Sequence, residues 1–276
     1  MKTVLITGAN SGFGYLTALT FARNGYKVYA TTRSLDKDGV KEMNEIVKNE
    51  NLSLEWLVLD ITNNTQILES TKDINQLDVL VNNAGFGLVG PIEGYSEEEF
   101  QNQIDTNLLG AHRMIKRFLS IMKKQKSGKI INIASIAGKI TFPYYGLYSA
   151  SKFGLEAYTE VLRSEVRAFG IDVCLVEPGT FSTGFNSRIV EAEDSILKDY
   201  SNLTKKIDGT KKFLNSFGFL KFKSNPQKVA DRVYQIAQRR MSMLHNYVGS
   251  DSKILAVMRK LIPDNIWDLI VQVIVK

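Results

Sequence analysis

Tyr148 and Lys152 stand four residues apart in Tyr148-Ser149-Ala150-Ser151-Lys152. If that segment opens a helix, the two side chains share a face. An ammonium beside a phenol favours the phenolate, lowers the phenol's pKa and brings it toward working pH as an acid–base group. Thirteen residues earlier, Ser135 ends the apolar run Ile131-Asn132-Ile133-Ala134. At a strand end its hydroxyl is placed to hold a carbonyl or alcohol oxygen. Tyr-x-x-x-Lys alone is a common spacing, and a tyrosine on an amphipathic helix beside a lysine is the plain alternative.

A second group of residues lies at the start of the chain. The first apolar run leads into Thr7-Gly8-Ala9-Asn10-Ser11-Gly12-Phe13-Gly14, with glycines at 8, 12 and 14. Glycines between a strand and a helix let the backbone approach a pyrophosphate, and the helix N-terminus offers free N–H groups and a positive dipole end. The next run, Val28-Tyr29-Ala30-Thr31-Thr32, is followed by Arg33 instead of an acid. A carboxylate there would bind the 2′-hydroxyl of NAD, whereas an arginine suits the 2′-phosphate of NADP. NADP(H) is therefore expected ahead of NAD(H), the alternative being an Arg33 that stacks on an adenine or faces solvent. Asp36 is expected to cap the next helix.

These residues need a scaffold that gathers strand ends on one side. Strand-length apolar runs at Thr3–Thr7, Lys27–Thr32, Leu54–Asp60, Asp78–Asn82, Lys129–Ser135 and Ile171–Val176 alternate with helical stretches, and Tyr247-Val248 is a candidate seventh strand. This pattern predicts α/β architecture: one doubly wound Rossmann domain with a parallel sheet of about seven strands flanked by helices. The domain is expected to span 1–276. The stretch of about 185–225 breaks the alternation and reads as an insertion over the substrate pocket. A C-terminal helix is expected over about 263–276. Phe142, Tyr144 and Tyr145 either line the opposite pocket wall or pack in the core, and an apolar pocket suits a hydrophobic carbonyl compound.

The chain has 276 residues with 35 basic and 29 acidic side chains, and a net charge of +6. A basic balance invites a polyanion partner. Residues 1–140, however, hold 16 basic and 15 acidic side chains, and the excess gathers around Lys205-Lys206 and Lys211-Lys212. No nucleic-acid partner is expected. The single Cys174 fits a reducing compartment. No run reaches the ~20 apolar residues of a membrane span, so a cytoplasmic protein is expected. The apolar C-terminal stretch either packs on the body or a second subunit or lies on a membrane surface. His112 and His245 lack ligand-like spacing, so no metal is expected.

Taken together, the motifs resemble the short-chain dehydrogenase/reductase family, most of all its hydroxysteroid- and retinol-dehydrogenase-like branch. The resemblance rests on the glycine turn, Tyr148-x-x-x-Lys152, Asn82-Asn83-Ala84-Gly85, Asn107 in Ile104-Asp105-Thr106-Asn107, and Pro178-Gly179 with Thr183 beyond. It implies an NADP(H)-dependent oxidoreductase acting on the carbonyl or alcohol carbon of a small, apolar substrate. The alternatives are an NAD(H)-dependent alcohol or hydroxysteroid-type dehydrogenase, or a dinucleotide-sensing regulator without turnover. It also implies that Tyr148 is the acid–base, that Lys152 lowers its pKa and binds the nicotinamide ribose, and that Ser135 orients the substrate oxygen. Asn107 would anchor a water linked to Lys152. Gly8, Ser11, Gly12, Phe13, Gly14, Arg33, Asp60, Ile61, Asn83, Ala84, Gly85, Pro178, Gly179 and Thr183 would bind the cofactor, together with Tyr148 and Lys152. A homodimer or homotetramer through helices near 105–120 and 150–168 is implied as well.

Overall fold

The structure, a computed structural model, describes residues 1–181, 187–189 and 225–275. Strands β1 (Thr3–Ile6), β2 (Lys27–Thr32), β3 (Leu54–Val58), β4 (Val79–Asn82), β6 (Gly128–Ile133), β7 (Ile171–Pro178) and β9 (His245–Val248) form one sheet in the order β3-β2-β1-β4-β6-β7-β9. Every pairing in it is parallel. The order reverses direction next to β1, between β1 and β4. All strand C-terminal ends therefore open onto one edge with a crevice at that switch, where this fold gathers ligands.

Period-two alternation explains why the sheet is buried on both faces. Val4 and Ile6 face one core with Val28, Ala30, Val81, Ile131 and Cys174, while Leu5 faces the other with Leu80, Ile130 and Val173. The first face is covered by α1 (Gly12–Arg23), α2 (Asp38–Asn49) and α7 (Gln227–Gln238), through Phe21, Met43 and Val233. The second is covered by α3 (Asn64–Ser70), α5 (Gly110–Gln125) and α6 (Gly146–Val166), through Ile67, Phe118 and Leu162. Cys174 is fully buried, and burial pushes its thiol up to about 12, consistent with packing instead of reactivity. His112 bonds Tyr158 at 3.0 Å and ties α5 to α6.

Two features go beyond the sequence expectations. A second, two-stranded parallel sheet pairs β5 (Gly87–Val89) with β8 (Ser187–Ile189). Apart from β8 and Asn225, the expected insertion over 185–225 lies outside the described residues, as does Thr183. The C-terminal helix expected over about 263–276 is α9 (Asp264–Val275), and a helix that was not expected, α8 (Ser250–Leu261), precedes it. Trp267 and Leu255 from this pair bury against Ile136, Ile140 and Phe142, so Phe142 belongs to the core. Among the described residues, no helix is long and apolar enough to cross a membrane.

Candidate active site

The glycine turn is shaped by close approach. Gly8 adopts φ +64° and Gly12 φ +55°, backbone conformations that favour glycine. A Cβ on Gly14 would collide with the Gly8 carbonyl oxygen, so only glycine lets α1 start this near the turn. Asn83 Nδ2 donates to the carbonyl oxygens of Thr7 (2.9 Å) and Gly8 (3.1 Å), while Thr7 Oγ1 accepts from the N–H groups of Asn83 and Ala84 at 2.9 Å. The two expected cofactor segments, 8–14 and 83–85, are thus locked to one another. Ser11 caps α1 in extended backbone with no side-chain cap hydrogen bond, which leaves first-turn donors free for a phosphate. These residues fit a dinucleotide pyrophosphate.

Around the turn, Phe13 meets Phe181 edge-to-face at 5.4 Å, joining it to the segment after Pro178-Gly179. Arg33 is exposed at the end of β2, with no hydrogen bond or ion pair among the described residues. Asp36 caps nothing: α2 begins at Asp38 after Lys37, with no side-chain cap. Asp60 Oδ1 accepts from the backbone N and hydroxyl of Thr62, both at 2.8 Å, which fixes the turn carrying buried Ile61. Thr7, Ile61, Ala84, Asn107, Ile133 and Lys152 line one small cleft at the strand ends.

The three proposed reacting residues come from two elements. Ser135 follows β6, and its Oγ accepts from the Ala137 N–H at 3.2 Å in a short 3-10 turn, Ile136–Gly138. Tyr148 and Lys152 sit one turn apart near the start of α6, both buried. Lys152 Nζ donates to the Ile133 carbonyl at 2.9 Å, and Tyr148 hydrogen-bonds with Ser135. Asn107 lies in a π-helical turn, Asp105–Leu109, between α4 (Glu97–Ile104) and α5. Its carboxamide donates to the Phe86 carbonyl and Ser151 Oγ, both at 2.9 Å, and accepts from the Phe86 N–H at 3.1 Å. A Cβ on Gly85 would sit 3.0 Å from Asn107 Oδ1 and 3.8 Å from Lys152 Nζ, so glycine is what lets this loop pass between them.

Electrostatics differ from the sequence expectation in one respect. Burial pushes the Tyr148 phenol up to about 12, against the smaller pull of the Ser135 hydrogen bond. Lys152 is not among the causes, and its ammonium stands 5.8 Å from the centre of the Tyr148 ring. Burial also lowers Lys152 to about 8, with Glu156 acting the other way. The phenol is therefore held as a neutral acid, the form that can donate a proton.

Sequence reading missed the residues that brace the site. Asp251, at the start of α8, accepts the Thr180 N–H at 2.5 Å and packs against Gly179. Ser252 Oγ donates to the Glu177 carbonyl at 2.7 Å. Glu156, Glu177 and His245 bring possible ligand atoms within 4.8 Å of one another, although the histidine has no ligand-like spacing in sequence. The Lys139 ammonium, 2.5 Å from Glu156, is the cation already among them. Each of these contacts joins separate elements, and no local spacing announces it.

The match to known proteins follows this geometry. The short chain dehydrogenase family profile matches residues 2–194. The 3-ketodihydrosphingosine reductase of Bacteroides thetaiotaomicron is 36% identical over 275 residues, covering 96% of this chain and 94% of that one. A short-chain dehydrogenase structure from Streptomyces avermitilis superposes with TM-score 0.80 at 27% identity, covering 98% of this chain and 95% of that one. The structure of ElxO with NADP bound gives TM-score 0.74 at 29% identity, covering 92% and 99%. Sequence match along nearly the whole chain and agreement in fold lead to the same assignment: the chain belongs to the short-chain dehydrogenase family, and it is a dinucleotide-binding oxidoreductase acting on CH–OH and C=O groups of small substrates.

Proposed function

We propose that this enzyme uses NADP(H) to interconvert a carbonyl and an alcohol on an apolar substrate, with Tyr148 as the acid–base group. The observation that carries this reading is the meeting of two buried side chains, Tyr148 and Lys152 on one face of α6, with Ser135 at the end of β6. The nicotinamide supplies or accepts the hydride. In reduction, Ser135 orients the substrate oxygen and the Tyr148 hydroxyl gives that oxygen its proton. In oxidation the phenol first gives up its proton to solvent, and the phenolate oxygen then takes the proton of the substrate alcohol. Lys152 holds the nicotinamide ribose. Asn107 acts as a positioning residue, fixing the loop after β4 to α6 through Phe86 and Ser151. The reductase activity in the name of the Bacteroides relative supports a ketone as substrate. The same reading includes a homodimer or homotetramer through α5, α6 and their approach, supported by the exposed Leu109, Phe153 and Val161; the mass of the enzyme in solution tests it. The function itself is tested by screening aldehydes, ketones and alcohols while following NADPH and NADH consumption separately. Tight NADPH binding without turnover of any compound would favour a regulator instead.

Two expected outcomes refine this reading. Arg33→Ala should weaken NADPH roughly tenfold to a hundredfold, as expected for lost hydrogen bonds to a charged group of about 1.5–3 kcal/mol. NADH should change little, and equal losses for both would remove the 2′-phosphate contact. The second concerns pH. The Lys152 ammonium is present below its lowered pKa of about 8, so kcat should fall as pH rises through that value. Tyr148, pushed up to about 12, stays protonated across that range. Lys152→Arg keeps its charge at high pH and should move the basic limb upward. An unmoved limb would assign it to another group.

A further inference from the structure

Tyr148, Lys152 and Glu156 are spaced by four along α6, yet the acid lies one turn beyond the proposed machinery and touches none of the reacting atoms. Its residue is 3% exposed. The carboxylate lies over Gly138, where a Cβ would come within 2.5 Å of Oε1, and it pairs with Lys139 at 2.5 Å. Gly138 and Lys139 belong to the turn that fixes Ser135: Gly138 N donates to the Ser135 carbonyl and Lys139 N to the Ile136 carbonyl, both at 2.9 Å. The turn touches α6 a second time, since the same Cβ would stand 3.1 Å from the Lys152 carbonyl oxygen.

Resting on the reaction proposed above, we infer that Glu156 is a positioning residue: its ion pair with Lys139 clamps the turn carrying Ser135 onto the helix carrying Tyr148 and Lys152. Ser135 and Tyr148 must approach one substrate oxygen from two elements, and the clamp sets their separation. Loss of about an ångström of such alignment is enough to cost a large factor in rate.

The clamp is also placed to respond to pH. Burial pushes Glu156 up to about 7, and Lys139 opposes the shift. The groups facing it are Lys139 from the turn, Lys152 and Glu160 from α6, Glu177 from β7, and His245 and Tyr247 from β9. His245 bridges two of the acids, with Nδ1 at 2.9 Å from Glu177 and Nε2 at 3.4 Å from Glu160, and the Glu177 bond raises its pKa. A charged His245 therefore favours the ionised Glu156 that the clamp requires. Protonation of Glu156 below about 7 removes the charge that holds Lys139, so kcat should fall along an acid limb there.

The test compares wild type, Glu156→Gln, Lys139→Met and the double variant in steady-state carbonyl reduction with NADPH between pH 5.5 and 8, which spans the limb at about 7. The expected result is a kcat loss of about tenfold or more in each single variant, with KM for NADPH nearly unchanged. The acid limb should be absent from Glu156→Gln, and the double variant should be no slower than the slower single one, as for two residues acting as one unit. Wild-type kcat with the limb intact in Glu156→Gln overturns the proposal, and so do losses that multiply in the double variant. If Glu156→Gln does not fold, Lys139→Met decides: its side chain is 26% exposed, and wild-type kcat with the limb retained overturns the clamp. Tyr148→Phe separates the two readings. A dead Tyr148→Phe beside a fully active Glu156→Gln removes only the clamp, whereas an active Tyr148→Phe removes the proposed reaction itself.

Discussion

Tyr148→Phe is expected to lower kcat for carbonyl reduction by about 10²–10⁴-fold, the usual worth of a positioned acid–base group, while NADPH binding stays within about twofold. The substitution removes one oxygen from a buried ring and keeps the ring's packing volume. Ser135, its hydrogen-bond partner among the described residues, keeps a second one, because its Oγ still accepts from the Ala137 N–H. The glycine turn is braced by Thr7 and Asn83, not by the tyrosine, so the cofactor site has no reason to change. Burial holds the phenol protonated to about 12, which makes it a proton donor at every pH at which the enzyme would be assayed. Steady-state rates give kcat, and a fluorescence titration of NADPH gives binding. A variant that kept kcat within about fivefold would require another acid. Among the described residues, Ser135 is the polar side chain hydrogen-bonded to Tyr148, and a neutral hydroxyl without a base is a poor substitute.

What could be read from the sequence was whatever obeys a local period. Apolar runs such as Thr3–Thr7 marked strands of a sheet flanked by helices, and in the structure Val4 and Ile6 face one core while Leu5 faces the other. Helical spacing put Tyr148 and Lys152 together because four residues make about one turn. The glycines at 8, 12 and 14 were legible because a strand turning directly into a helix leaves no room for side chains. A period says which way a residue faces but not what it meets. Asp251 reaches Thr180 across 71 residues, and His245 reaches Glu177 across 68. Phe142 illustrates the same limit: its apolar character fitted a pocket wall or a core equally well, and the helix pair α8–α9 decided for the core. The pKa of Tyr148 went the other way from expectation because adjacency to Lys152 was visible in sequence, whereas the depth of burial was not.

Removing Asp172 should damage stability more than any surface change, and the reason lies in how α6 is attached to the sheet. Asp172, on β7 and 3% exposed, accepts from Lys129 Nζ and Arg163 Nη1 at 2.8 Å and from the Ser242 N–H at 2.9 Å. Lys129 comes from β6, Arg163 from α6, and Ser242 from the segment before β9, so one carboxylate joins four parts of the chain. Both cations have further acceptors: Lys129 donates to the carbonyls of Ile236 and Arg239 at 2.9 and 2.7 Å, and Arg163 to that of Ser242 at 2.7 Å. They therefore stay in place when the acid is removed, as one buried and one partly buried positive charge without a counter-ion. Breaking a buried pair in this way costs about 3–5 kcal/mol. For a chain of this size that corresponds to a melting temperature lower by roughly 10 °C. Asp172→Asn keeps an acceptor for the Ser242 N–H but loses the charge, so it should fall between wild type and Asp172→Ala. Arg163 lies about three turns beyond Lys152, so below the melting transition kcat of both variants should stay close to wild type. Thermal melts and rates on the same preparations test the separation. A melting temperature of Asp172→Ala within about 2 °C of wild type would mean that the network's hydrogen bonds to carbonyls, and not the carboxylate, balance the two cations.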